Sequence, residues 1–469
     1  MASACLWGQT TTPASITAIT QVTVIDPKNS RVADNQTVMI SGGKIVHAAG
    51  SKNTAIPKHA VIISGKGKFL IPGLWDMHVH TAGISASSSW GKNLLPVYVA
   101  HGITGIRDMG GDLQSLKAWR KEAATSTLPR MVIAGPFIDG NAKGFSPGEV
   151  IAVTTPEEAR AAVRKVIQDG ANFIKIGSRL SLDTFFAIAF ETQKSNVAFG
   201  GHVPDAMTAE GASQAGMKSM EHLFGILIEC SRKSGELRKK LAEATDRAAR
   251  AKIADEIEAT FSEEVAQRLF AGFKMRETWQ VPTLVWTRNT GLLDKADPND
   301  PGLRYLPESL RKEWTPANAD KFVSSGGRVY YQRKLKNDLK IVSEMAKAGV
   351  PLLAGSDSLD PFVFPGSSLH QELQLLVSAG LTPMQALQTA TSNPAKFMAN
   401  EKNLGSIMVG RAADMVLLNA DPTKDIRNTT AIEAVVMNGK YLNRADLDAM
   451  LSAAQKSFEA AAPVAPATR

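Results

Sequence analysis

The chain of 469 residues has few cysteines, few aromatic residues and no long apolar run. Its two cysteines, Cys5 and Cys230, exclude a fold that depends on a framework of disulfides. No apolar run reaches the roughly 18 residues that a membrane-spanning helix requires, so none is predicted. Hydrophobic residues make up 44% and charged residues 21% of the chain, which is typical of a globular protein with a large buried core.

The net charge of +8 is not arranged for binding nucleic acid. No cluster of Lys and Arg is interleaved with aromatic residues. The densest charge, from Arg232 to Glu277, has both signs and is typical of a solvated helical surface. We therefore expect a small-molecule substrate and no nucleic-acid partner. Whether the chain forms a homo-oligomer is left open.

The first residues indicate export. Small residues precede Cys5 and resemble the end of an export signal at a processing or lipidation site. An ordinary chain terminus is the alternative. We expect an exported protein rather than a cytoplasmic one. It would be periplasmic or secreted, with or without a lipid anchor at Cys5.

The order of apolar segments predicts an α/β fold with two domains. Residues 15–71 and 404–445 contain short alternating runs separated by Gly and Asn turns, which predicts a small β-sandwich domain formed from both chain ends. Residues 72–403 alternate apolar strands with amphipathic helices and predict a (β/α)8 TIM barrel. The connection at about residues 230–280 is too long for a loop and predicts a helical insertion. The candidate barrel strands are Leu70–Val79, Thr104–Asp108, Met131–Ala134, Phe173–Ile176, Val197–His202, Ser219–His222, Val281–Val285 and Leu352–Ser356.

The first of these strands ends in two histidines one residue apart. Side chains at i and i+2 of a strand lie on the same face, so His78 and His80 can present their imidazoles to one point. Neutral imidazole is the commonest protein ligand for zinc-like metals. Taken alone, such a pair is more often a surface or structural feature.

Further polar residues stand on or just after other predicted strands. The carboxyl ends of barrel strands form the face on which barrel enzymes place their active sites. Each residue has a structural alternative: a core lysine can pair with an acid, a histidine can be a satisfied core residue, and an aspartate can cap a helix. Their joint order along the chain nevertheless predicts a single site. These residues are Lys175 in strand four, His202 and His222 at the ends of strands five and six, and Asp357 after strand eight.

Three motifs identify a family: PGLWDMHVH at residues 72–80, GITGIRDMGG at 102–111 and LGSIMVGRAADMVLL at 404–418. With them the chain resembles, over nearly its whole length, the metal-dependent amidohydrolase superfamily, in particular its imidazolonepropionase-related and Xaa-Pro-dipeptidase-like branch. The resemblance implies hydrolysis of an amide or peptide C–N bond by a metal-activated hydroxide, the substrate being a dipeptide, an N-acyl amino acid or a similar amide.

The resemblance also implies a binuclear centre with two divalent ions, expected to be zinc. Asp357 would act as general base and then general acid, taking a proton from the attacking water and returning it to the departing nitrogen. The implied ligands are His78, His80 and Asp357 for one ion, His202 and His222 for the other, and N6-carboxylated Lys175 for both.

Loops on the same barrel face would select the substrate. Arg179 and Arg288 are candidates to bind a substrate carboxylate, and each could instead be a rim residue in solvent. His370 opens an amphipathic helix and could serve either the substrate or the structure. The interval from Lys175 to His202 looks shorter than in the dipeptidase-like members, so their substrate cannot be assumed here.

Other activities fit the same motifs. Ring opening of a cyclic amide or imidazolone, or deamination, often uses one metal without a bridging lysine, so Lys175 argues against it. Hydrolysis of a lactone or a phosphotriester would suit the same two-metal site. A non-catalytic binding protein is the alternative from another class, and the complete set of ligands argues against it.

Overall fold

A computed structural model describes residues 15–82, 90–145, 148–323 and 327–459, without the side chain of Arg247. Cys5, at the predicted export site, lies outside the described residues. Within these ranges, no helix is both long enough and apolar enough to cross a membrane.

Strands and helices alternate through most of the described chain. The strands are β1 Thr17–Asp26, β2 Arg31–Ser41, β3 Lys44–Gly50, β4 Val61–Ser64, β5 Phe69–Pro72, β6 Leu74–Val79, β7 Ile103–Asp108, β8 Arg130–Ile133, β9 Phe137–Asp139, β10 Val150–Ala152, β11 Ile174–Ile176, β12 Phe199–Gly201, β13 Ser219–Glu221, β14 Trp279–Val281, β15 Met415–Leu418, β16 Ile432–Met437 and β17 Lys440–Asn443. The α-helices are α1 Leu95–Ala100, α2 Leu113–Ala123, α3 Pro156–Gln168, α4 Leu182–Lys194, α5 Ala209–Gln214, α6 Ile226–Glu229, α7 Ser234–Glu243, α8 Arg247–Ala259, α9 Glu263–Met275, α10 Leu284–Gly291, α11 Glu308–Glu313, α12 Gly327–Ala348, α13 Ser367–Ser378, α14 Pro383–Thr389, α15 Ser392–Phe397 and α16 Arg444–Glu459.

Both ends of the chain contribute to one eight-stranded sheet. Its order is β17-β16-β15-β5-β1-β2-β3, and β4 pairs in parallel with β1. The antiparallel pairing of β5 with β15, where Leu70 lies opposite Leu417, joins the two ends. Side chains of these strands, including Ile19, Val38 and Met415, form a hydrophobic cluster of their own.

The strands between these ends are parallel and lie in two sheets, β6-β7-β8 and β10-β9-β11-β12-β13-β14. Hydrogen bonds link the segment after α12 to both sheets. The Leu353 N–H donates to the Gln280 carbonyl at 2.9 Å, and the Met77 N–H donates to the Ala354 carbonyl at 2.9 Å. The α/β class is confirmed, and the arrangement resembles a TIM barrel.

Local sequence explains the start of α3. The Thr155 hydroxyl accepts a hydrogen bond from the Glu158 N–H at 3.2 Å, and the Glu158 carboxylate accepts one from the Thr155 N–H at 3.1 Å. This capping box, with Pro156 in the first turn, satisfies donors that a helix start leaves free. The buried face repeats at helical spacing, as expected for a helix packed on a sheet. Its residues are Ala159, Ala162, Val163 and Val166.

The seventh barrel strand ends earlier than the sequence pattern predicts. β14 stops at Val281, and α10 begins at Leu284. Pro282 has no N–H to donate to a neighbouring strand, and Thr283 has a φ of 48°, which no extended strand adopts. Most of the predicted strand Val281–Val285 therefore lies outside β14.

Four helices, α6 to α9, occupy the long connection between β13 and β14. α7 and α8 pack on each other through a separate cluster that includes Leu237, Ile253 and Ile257. Arg333 of α12 forms ion pairs with Asp255 and Glu258 of α8. The connection is therefore held against α12.

Candidate metal centre

Four histidines and an aspartate meet at the carboxyl ends of parallel strands. Ring centroids lie 5.4 Å apart for His78 and His80, 4.7 Å for His78 and His222, and 5.0 Å for His202 and His222. The Asp357 N–H donates to the His78 carbonyl at 2.8 Å, which places the aspartate beside β6. The structure therefore brings together five of the six residues that the sequence predicts as metal ligands.

Asp357 faces three of the imidazoles. Its Oδ1 lies 3.3 Å from His78 Nε2 and 3.4 Å from His80 Nε2, and its Oδ2 lies 3.7 Å from His222 Nδ1. The ligand atoms of His78, His80 and Asp357 all lie within 4.8 Å of one another. Among the described residues, His78 Nε2 is buried without a hydrogen-bond partner. A buried nitrogen without a hydrogen-bond partner, next to imidazole and carboxylate groups that can bind metal, fits a site for a zinc-like divalent ion.

Burial keeps the imidazoles neutral, which is the form that binds metal. It lowers the pKa of His78, His202 and His222 well below the usual range, and the pKa of His80 to about 4. The nearby Lys175 charge acts in the same direction on each of these pKa values.

Lys175, the sixth predicted ligand, is buried in β11 within electrostatic range of this cluster. Burial lowers the pKa of Lys175 to about 8, although the carboxylates of Glu221 and Asp357 oppose the shift. Gly201 leaves space for the neighbouring strand and for the lysine, since a Cβ there would lie 2.3 Å from the Ile176 carbonyl oxygen and 2.9 Å from Lys175 Cδ. A lysine with this pKa has much more free amine near neutral pH than an exposed one, and the free amine is the form that can add carbon dioxide.

Glu221 orients His78 and was missed by the sequence analysis. Its Oε2 accepts a hydrogen bond from His78 Nδ1 at 2.8 Å, and its two oxygens accept from Arg107 at 2.9 and 3.0 Å. The Ser219 hydroxyl also donates to Oε1, at 2.7 Å. Because the carboxylate holds the proton of His78 on Nδ1, the lone pair of Nε2 is directed toward the cluster.

Hydroxyl groups contact the Nδ1 atoms of two other imidazoles. Ser178 Oγ lies 2.9 Å from His202 Nδ1, and Thr283 Oγ1 lies 2.7 Å from His222 Nδ1. The Thr283 hydroxyl donates to the Pro282 carbonyl at 2.8 Å, so it accepts from His222. This contact leaves the Nε2 lone pair of His222 free to bind a metal.

Lys334 holds the main chain at His222. Its buried ammonium donates to the His222 carbonyl at 2.6 Å and to Asp338 Oδ2 at 2.5 Å. His222 and Leu223 have φ angles of 61° and 55°, a region that residues other than glycine rarely adopt. The bond from Lys334 stabilises this turn and with it the direction of the imidazole.

The two arginines predicted to bind substrate have protein partners. Arg179 is exposed, and its Nη1 donates to Asn141 Oδ1 and to the Lys143 carbonyl at 2.8 Å each. Arg288 is half-buried and donates to the Gln371 side chain. Burial lowers the pKa of Arg288.

The structure does not bring His370 to the histidine cluster. Its Nδ1 lies 2.9 Å from Thr429 Oγ1, and its Nε2 lies 2.9 Å from the His101 carbonyl. Both ring nitrogens are therefore used in buried contacts, Nδ1 with the segment that leads to β16 and Nε2 with the end of α1.

A sequence signal did exist for two of the missed residues. Arg107 and Glu221 are charged residues inside short buried strands, the same signal that singled out Lys175. Lys334 gave no such signal, since it lies on an amphipathic helix rich in basic residues.

Comparison with known proteins agrees with the motifs. The model of the amidohydrolase family matches residues 69–442. Ochratoxinase of Aspergillus niger is 23% identical, with 86% of this chain and 81% of that protein aligned. Imidazolonepropionase of Alkaliphilus oremlandii is 24% identical over 83% of both chains. Two adenine deaminases match short segments only, and the chain spans 18% of the one from Rhizobium meliloti and 12% of the one from Jannaschia.

Solved structures show the same fold. A Xaa-Pro dipeptidase with bound methionine superposes with a TM-score of 0.69 at 20% identity, over 92% of this chain and all of that one. The crystal structure of Aspergillus niger ochratoxinase superposes with a TM-score of 0.65 at 19% identity, over 92% of this chain and 96% of that one. The family resemblance seen in the sequence is confirmed: the chain belongs to the amidohydrolase family.

Proposed function

We propose that the protein is a metal-dependent hydrolase of amide or peptide C–N bonds, acting on a dipeptide, an N-acyl amino acid or a similar amide. The observation that carries this proposal is the convergence of four neutral imidazoles and the Asp357 carboxylate at the carboxyl ends of parallel strands. Barrel enzymes place their active sites on that face. Membership of the amidohydrolase family supports the same reaction class.

We propose a binuclear centre with two divalent ions, zinc being the expected metal. When bound, the ions would supply an activated water and polarise the substrate carbonyl. The proposed ligands are His78, His80 and Asp357 for one ion, His202 and His222 for the other, and N6-carboxylated Lys175 for both.

Asp357 is the proposed proton carrier. Burial raises the pKa of Asp357 well above its ordinary value, and the nearby Asp360 charge adds to the shift. A carboxylate in that setting takes a proton from the attacking water more readily and can give it to the departing nitrogen. Glu221, Ser178 and Thr283 would keep the imidazoles in the tautomers that bind metal.

Arg179 is the proposed ligand of a substrate carboxylate. It follows Ser178, whose hydroxyl contacts His202, and its guanidinium is exposed while Asn141 fixes one nitrogen. Side-chain nitrogens of Arg288 and His370 form hydrogen bonds with other residues of the protein, which favours a structural role for both.

We further propose that the parallel strands close into a (β/α)8 barrel over residues 72–403, with a helical insertion at about residues 230–280. The hydrogen bonds from residues 353 and 77 support closure. Residues 15–71 and 404–445 would form the small β-sandwich domain, supported by the hydrophobic cluster inside their sheet.

Metal analysis and a substrate panel test the proposal. Protein purified without chelator and with bicarbonate is expected to contain two ions per chain and to hydrolyse dipeptides or N-acyl amino acids. One ion or none would refute the binuclear centre. Turnover restricted to cyclic amides, lactones or phosphotriesters would select one of those activities, and bound metal without any turnover would favour a binding protein.

A further inference from the structure

Helix α4 is apolar on its outer face as well as on its inner face. Phe185 and Ile188 are buried against the sheet. On the opposite side, Leu182, Phe186 and Phe190 are exposed by 45%, 52% and 61%. These three residues, here named the α4 stripe, recur every four positions and form one line along the helix. A helix that is apolar on all sides is ordinarily buried, so the α4 stripe needs a cover.

Charges of opposite sign stand at the two ends of the α4 stripe. Asp183 lies in the first turn of α4, and Lys194 is its last residue. Both are exposed, and neither forms an ion pair with another described residue. They lie about 16 Å apart along the helix, at a rise of about 1.5 Å per residue. No charged residue lies between Asp183 and Glu191, so the centre of the stripe is uncharged.

We propose that the α4 stripe is the contact between two copies of this chain, packed antiparallel about a two-fold axis. In such a contact residue i meets residue j of the partner, and residue j meets residue i. Two pairs of residues share nearly the same midpoint in the sequence, to within one residue: Phe186 with Phe190, and Asp183 with Lys194. A single axis therefore places Phe186 against the partner's Phe190 and Asp183 against the partner's Lys194.

The surroundings of the α4 stripe suit an interface with an apolar centre and a polar rim. Helix α3 packs beside α4, and its Arg164 is largely exposed while paired with Glu191 of α4. A stable dimer buries about 1,200–2,000 Å² in total, so α3 must add to the area that α4 supplies. The inference concerns assembly and is independent of the proposed activity.

Sedimentation velocity over a range of protein concentrations tests the proposal. The unmodified chain is expected to form dimers. Phe190→Glu places two carboxylates near the axis and is expected to raise the dimer Kd by about 30-fold or more, as for a central anchor residue. Ile62→Glu is the matched control, because Ile62 is a 60% exposed apolar residue on β4, and it should leave the dimer unchanged. Circular dichroism of both variants checks that they fold.

A charge exchange tests the antiparallel register. Asp183→Lys and Lys194→Asp should each weaken the dimer by about fivefold at low salt, since each variant loses two exposed ion pairs. The double variant restores both pairs and should recover the original Kd. A chain that is monomeric at all concentrations, or a dimer that survives Phe190→Glu, would overturn the proposal. Failure of the double variant to recover would overturn the register.

Discussion

Replacing Glu221 by Gln removes a buried negative charge with little change in size. Arg107 donates to both oxygens of Glu221, and Ser219 donates to Oε1 as well, so the oxygen of the new amide is best placed on the Oε1 side, where two donors meet. Its NH2 group would then face His78 Nδ1, where the carboxylate now accepts a hydrogen bond. His78 would have to accept at Nδ1 and carry its proton on Nε2, the nitrogen that faces Asp357.

Two effects of this substitution can be given a magnitude. Arg107 is fully buried and would lose its carboxylate partner, which costs about 3–5 kcal/mol when one member of a buried ion pair is removed. Loss of the carboxylate that orients a metal-binding histidine lowers metal affinity by about 10–100-fold. We therefore expect Glu221→Gln to be less stable without metal and to bind zinc more weakly.

Urea unfolding of the metal-free protein and zinc competition with a chromophoric chelator measure the two effects. Glu433→Gln is the matched control, because Glu433 pairs with Lys68 at 3.0 Å on the surface. An exposed pair contributes about 0–1 kcal/mol, and zinc affinity should not change in the control. If Glu221→Gln behaves like Glu433→Gln in both assays, the role given to Glu221 is wrong.

Three further substitutions test the site. Lys175→Ala is expected to lose one of two ions and most activity, and added short-chain carboxylates should restore part of the activity. Metal analysis and activity assays check this. A fully active variant that keeps both ions would show that Lys175 is only a core residue. Asp357→Asn should keep the fold and lower turnover by about 10²–10⁴, and a fully active variant would contradict its role as proton carrier. Lys334→Met should lower the unfolding free energy by about 3–5 kcal/mol, because Asp338 is left buried without its cation. If Lys334→Met unfolds at the same urea concentration and binds zinc as before, the hydrogen bond from Lys334 to the His222 carbonyl is needed neither for stability nor for metal binding.

Local patterns were enough to predict much of the fold. Alternating apolar strands and helical stretches predicted the α/β class, because periodicity is a property of neighbouring residues. The misplaced seventh strand has a local cause as well. Val281 and Val285 lie on either side of Pro282, and the pattern was extended through a residue that ends strand pairing. A proline inside a predicted strand should have shortened it.

Contacts between distant segments could not be predicted from such patterns. Lys334 reaches the carbonyl of His222 across 112 positions of sequence, and its helix shows only an amphipathic pattern. His370 meets Thr429, and the sequence carries no sign of that partner. The direction in which a side chain on a helix points depends on how the helix is rotated in the fold. The amphipathic pattern of α13 therefore could not show that His370 contacts Thr429 and not a substrate.

The buried charges around the histidines would favour a bound cation. The buried carboxyl groups of Asp76, Glu221 and Asp357 lie within electrostatic range of the buried cations Arg107 and Lys175. Without a metal, burial raises the pKa of Asp76 to about 7 and lowers the pKa of Lys175 to about 8, so both groups shift toward their neutral forms. A divalent ion would favour the carboxylate of Asp357 and disfavour the ammonium of Lys175. The free amine can then add carbon dioxide through a new N–C bond and release one proton to solvent, which leaves a carbamate anion that would attract the metal more strongly. Metal binding and carboxylation of Lys175 should therefore favour each other, since coupling between two equilibria is reciprocal.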